Sequence, residues 1–96
     1  MTAKQYQKEM AAWLKNPAHE KGTPLYNFVK WLDTLIRTFQ TQSPNGTLPD
    51  MEKYLNQYLT AGIYKMFPGL TYDQVRDFYG ADMPPGMVPP PQSLSA

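Results

Sequence analysis

The side chains able to do chemistry in this 96-residue chain are few, and they do not converge. Cysteine is absent, which removes a thiolate nucleophile, a thiolate zinc site and a disulfide framework at once. The single histidine, His19, stands in a loop beside Glu20 and Lys21 with no second imidazole to share a metal, so a solvated loop histidine is expected. Ser43, Ser93 and Ser95 fall in a loop or near the C-terminus, and none sits on the strand-to-helix elbow that exposes an activated serine. Asp50 and Glu52 are two apart at a helix start, where they diverge and complement the helix dipole. Asp73 and Asp77 share a helix face, but Arg76 follows three residues after Asp73, as in a solvated, ion-paired surface. No glycine-rich loop follows a strand, so a phosphate cradle is missing too. These residues predict a protein that is not an enzyme, with no metal, cofactor or small-molecule substrate.

Nucleic acid is argued against by charge. Nine basic and eight acidic residues nearly cancel, with a mild gradient: six basic against three acidic up to Arg37, three against five beyond. Ordinary solvated surface accounts for so small a gradient. A helix-turn-helix built from the third helical segment, the Phe67 to Leu70 turn and the Thr71 to Tyr79 helix would offer Gln74 and Arg76 to DNA. Asp73 and Asp77 beside them repel phosphate.

What remains is aromatic. Two tryptophans, seven tyrosines and four phenylalanines all fall between Tyr6 and Tyr79. Most lie in stripes at helical spacing and read as core. Tyr26, Trp31, Tyr64, Phe67 and Tyr72 do not all fit one seam, and with Pro89, Pro90 and Pro91 they are the candidate residues of a protein interface. The expected function is therefore a non-enzymatic protein-protein interaction module, an adaptor, accessory or regulatory subunit binding another protein, with self-association among the options. The alternative is a structural component of a multi-subunit particle.

The elements that carry these residues are helical. Thr2 caps a first helix to about Lys15, with Tyr6, Met10, Trp13 and Leu14 on one face, stopped by Asn16-Pro17. Thr23 and Pro24 open a second, whose stripe is Leu25, Phe28, Val29, Leu32, Leu35, Ile36 and Phe39; Lys30, Asp33, Arg37 and Gln40 fall on the other side. The run Thr41 to Thr47 is a loop, and its Asn45-Gly46-Thr47 sequon reads as a turn. A third helix enters through Pro49 and continues to Lys65 or Met66, with Met51, Tyr54, Leu55, Tyr58, Leu59, Gly62, Ile63 and Met66 in phase. Gly62, inside that stripe, suggests close approach of another helix more than a bend. Thr71 and Gln74 form a capping box for a short fourth helix, which Gly80 should stop in the left-handed conformation.

From Asp82 the composition changes to five prolines, one charge and no aromatic residue in fifteen positions. Such a stretch should stay extended or disordered and add nothing to a core. The fold class is thus all-α: a small bundle of three main helices plus a short fourth helix over residues 1–81, arranged up-down-up, with a disordered proline-rich tail over 82–96. Nothing resembles a secretory leader or a membrane span, which predicts a soluble, cytoplasmic or otherwise intracellular protein with no membrane partner.

Overall fold

The computed structural model describes residues 2–80 and 87–91. Five helices make it up: α1 (Ala3–Lys15), α2 (Pro24–Gln42), α3 (Leu48–Asn56), α4 (Ile63–Met66) and α5 (Tyr72–Tyr79). No strand occurs among the described residues. Threonine starts four of the five. Thr2, Thr47 and Thr71 each accept from the backbone N–H three residues on, while Gln5, Asp50 and Gln74 reach back to the threonine's own N–H, closing three capping boxes. Thr23 accepts from Tyr26 N–H ahead of the helix that Pro24 opens.

The helices α1, α2 and α3 to α4 run up, down and up. Trp13 at the end of α1 meets Tyr26 at the start of α2, whereas Thr2 and Ala3 share a hollow with Gln40 and Ser43 at the other end. Phe39 then packs on Tyr54 of α3, and Phe28, three turns earlier in α2, meets Phe67 just after α4. Helix α5 closes the end where α1 meets α2, with the Phe78 ring edge-on to Trp13 at 5.4 Å. Tyr6, Met10, Phe28, Val29, Leu32, Ile36, Met51, Leu55, Ile63 and Val75 form the fully buried centre. Among the described residues two glycines take positive φ, Gly22 at 87° and Gly69 at 94°, and the second holds the turn into α5 against Pro24.

Several expectations are revised. The long third helix is broken: after Asn56 the chain tightens through Tyr58 N–H to Leu55 O, and the Thr60 hydroxyl accepts from Gly62 N–H at 3.3 Å. That local bond competes with the helix ladder. Gly62 becomes the start of α4, and a Cβ there would meet only the Thr60 hydroxyl, so no neighbouring helix requires it. The break rotates the stripe, leaving Leu59 and Ile63 buried while Tyr58 and Met66 turn outward, 40% and 55% exposed. Gly80 stops α5 with right-handed angles, φ −67° and ψ −20°.

Asp33 is not on the solvated side. At 100° per residue it sits at the edge of the α2 stripe that meets α1, and it is 9% exposed. Nor is the tail wholly outside the core. Met87 and Pro89 are fully buried, Val88 packs against the same cluster and Pro90 is exposed. One unbranched thioether is enough to join a core that the composition of a segment would not predict. The remainder of the tail expectation, residues 82–86 and 92–96 with Ser93 and Ser95, lies outside the described residues.

Candidate functional site

Two flanks of α2 carry the features that could meet another molecule. On one flank, Trp31 reaches past the buried stripe to the turn after α4. Its ring lies 5.6 Å from Phe67 and 6.0 Å from Phe28, and Phe67 is edge-on to Phe28 at 5.8 Å. Phe28 is buried, whereas Trp31 and Phe67 are half-buried, so the cluster forms an aromatic ledge seated on the core. Met66, 55% exposed, precedes Phe67 directly.

The opposite flank faces α1 and the loop after it. His19 lies here, half-buried and stacked on Trp13 with ring centroids 3.9 Å apart and planes 17° from parallel. Its Nδ1 stands 2.7 Å from the Trp13 carbonyl oxygen, which only accepts, so Nδ1 carries the proton and donates. The expected solvated histidine is thus a fixed one. Its loop is built for this: Asn16 Oδ1 accepts from Ala18 N–H, Asn16 O from His19 N–H, and the Thr23 hydroxyl donates to Glu20 O. Between this loop, Ala11 and Leu14 of α1, and Tyr26, Asp33 and Arg37 of α2 runs a cleft of about 700 Å³. Asp33 Oδ2 accepts from Arg37 Nε at 2.9 Å, while Asp33 Oδ1 is buried and has no partner.

The residues singled out from the sequence separate into these surroundings. Trp31 and Phe67 come together on the ledge, and Tyr26 lines the cleft. Tyr64 is buried at 8% exposure, where desolvation first and the neighbouring Tyr72 second push its phenol above the usual range. Tyr72 is half-buried beneath the Arg76 guanidinium, 5.8 Å from the ring centre. Pro89 is buried, Pro90 exposed and Pro91 half-buried. Tyr64 and Pro89 are therefore spent on the chain's own packing. Sequence reasoning missed His19, Asp33, Tyr58 and Met66. His19 is fixed by the fold of its own loop, Asp33 depends on how α1 docks on α2, and the last two depend on the break before α4; none of these has a signal in spacing.

Among the described residues no group of three or more His, Cys, Asp or Glu side chains is placed to hold a metal ion, and no helix is long and apolar enough to cross a membrane. Compared with known proteins, the chain matches no family model, no curated protein and no solved structure.

Proposed function

We propose that this chain is a non-enzymatic protein-binding module, an accessory or regulatory subunit that docks a partner protein on the Trp31 ledge. One observation carries the reading: Trp31 and Phe67, in edge contact at 5.6 Å, are anchored from below by Phe28 yet remain half-open above. Rigid, partly exposed aromatics of this kind lose little conformational freedom on binding and bury large area, which is why they dominate interface energies. Met66 beside them adds a side chain that adapts to a partner's contour.

The alternative, a structural subunit whose tail threads between neighbours, would require Met87 and Pro89 to leave the seat they occupy on their own body. The test is affinity capture from native lysate on immobilised wild-type protein, Trp31→Ala and Met66→Glu. A protein retained by the wild type and lost by both variants, with helical content unchanged, is the expected result. Retention of nucleic acid, or of nothing, would overturn the proposal.

A further inference from the structure

The corner between α2 and α3 carries an inference that does not depend on partner binding. Ser43, Pro44, Asn45 and Gly46 form a turn there, closed by Gly46 N–H donating to Ser43 O at 2.9 Å. Asn45 is exposed, and its carboxamide stands next to a backbone nitrogen whose residue has no side chain to crowd an approach. The chain's three other asparagines are kept from the same chemistry. Asn16 precedes Pro17, whose ring nitrogen has no proton to give up. Asn27 lies inside α2, where backbone N–H groups are committed to the helix ladder. Asn56 is followed by Gln57, which carries a side chain and donates its N–H to Tyr54 O. Nor is Gly46 free to change, because a Cβ there would run into the Phe39 ring, which packs on Tyr54 of α3. The contact that seats α3 on α2 thus also fixes a labile Asn-Gly pair.

We propose that Asn45 is a self-modification site, at which the chain deamidates through Gly46 with water as co-reactant, and that the rearranged product loosens the α2–α3 corner. Gly46 N, its proton lost to solvent, bonds to Asn45 Cγ and closes a five-membered succinimide. The Cγ–Nδ2 bond breaks, and Nδ2 leaves as ammonia with a proton taken from water. A water molecule then opens the ring. Cleavage between Gly46 N and Cγ gives an ordinary aspartate at position 45. Cleavage between Gly46 N and the backbone carbonyl carbon gives isoaspartate, with the main chain routed through Cβ and Cγ. Either product adds one carboxylate, taking the formal net charge from +1 to zero. The turn bond occupies Gly46 N–H, so the reaction waits for the turn to open, which an exposed turn closed by one backbone bond does readily. Aspartate alone is harmless near the positive end of α3. Isoaspartate is not, because it lengthens the main chain by one carbon between Ser43, whose N–H donates to Phe39 O, and Thr47, which caps α3. Gly46 already lies against Phe39, so the added carbon displaces it from the ring or pulls Thr47 from its cap.

The test is to warm the pure full chain in mildly alkaline buffer, folded or in denaturing guanidinium, and to map its peptides by mass spectrometry with fragmentation that separates aspartate from isoaspartate. In the folded chain Asn45 should convert while Asn16, Asn27 and Asn56 stay intact, and in denaturant Asn45 should convert severalfold faster. The aged protein, isolated by ion exchange as the more acidic species, should melt several degrees below fresh protein and below Asn45→Asp, which carries the charge without the added carbon. Asn45→Gln, whose longer side chain closes the ring far more slowly, should keep its mass and its Tm through the same incubation. A folded chain with Asn45 intact when the unfolded chain has fully converted overturns the site. Conversion at Asn27 or Asn56 ahead of Asn45 overturns it too, and equal rates folded and unfolded overturn the restraint by the turn. An aged protein that melts with Asn45→Asp overturns the loosening of the corner.

Discussion

Tyr6 and Tyr79 bring their hydroxyls toward each other inside the core, yet neither completes a hydrogen bond. An unsatisfied buried hydroxyl costs on the order of 1–3 kcal/mol, so removing it should do little harm. Tyr6→Phe is expected to leave stability at pH 7 within about 1 kcal/mol of wild type or to raise it, measured by urea unfolding. The same burial sets an alkaline limit. Desolvation, then the neighbouring tyrosine charge, lifts the Tyr6 phenol well above its ordinary range, and desolvation likewise lifts Tyr79. A folded-state value raised above the unfolded one stabilises fully below the unfolded pKa of about 10 and is lost as pH climbs beyond it. Stability should therefore fall above pH ~10, and less steeply in the Tyr6→Phe, Tyr79→Phe double variant. An equally steep fall in that variant would place the alkaline sensitivity elsewhere.

At the scale of elements, the beginnings of helices are written in short local motifs. Thr2, Thr23, Thr47 and Thr71 stand where their side chains can answer the first free N–H groups, and each does so. Thr71→Ala should cost about 1 kcal/mol, seen as a lower urea midpoint with an unchanged slope. In α3 the reciprocal bonds from Thr47 hold the Asp50 carboxyl below its usual range, the backbone N–H contributing most. A lowered folded value means stability present above pH ~3.9 and lost as pH falls through the folded value. Asp50→Asn should remove that part of the acid dependence. An Asp50 carboxyl carbon titrating at or above ~3.9 by NMR would contradict this. Turn geometry is equally local: Gly69 sits at φ 94°, and a Cβ there would come 3.0 Å from Pro24 Cγ. Gly69→Ala should thus cost about 1–2 kcal/mol through left-handed strain alone. Helix ends were less legible. The stripe through Tyr58, Gly62 and Met66 stays in phase on paper, but the Thr60 hydroxyl and Gly62 divert the backbone, and periodicity cannot weigh a local hydrogen bond against a ladder. The ledge was half visible, through Trp31 and Phe67 falling off the main seam. The cleft was not, because Asp33 is recognisable only once α1 covers it.

At the scale of the whole molecule, size makes every buried residue matter. A chain near this length buries only about 60–65% of the surface it exposes unfolded, so its stability rests on a small core. Within that core Met87 is as inaccessible as Phe28 or Leu32, although it lies beyond the last helix in a stretch rich in proline. Residues 87–91 thus act as a strap, with Met87 as its anchor and Pro89 as a second buried point. Proline suits such a strap because its fixed φ leaves less conformational freedom to lose on docking. Truncating a buried methionine to alanine costs about 2–5 kcal/mol, and in a domain this small each kcal/mol moves Tm by about 4–8 °C. Met87→Ala should therefore lower Tm by roughly 8 °C or more in a thermal melt, and a chain ending at Gly80 should fall at least as far. An unchanged Tm in both would mean the strap contributes nothing to the fold. If the drop is found, removal of the tail is a change to the core as well as to the surface. Loss of a partner on truncation then assigns the tail as the contact only if Met87→Ala, measured well below its own Tm, still binds.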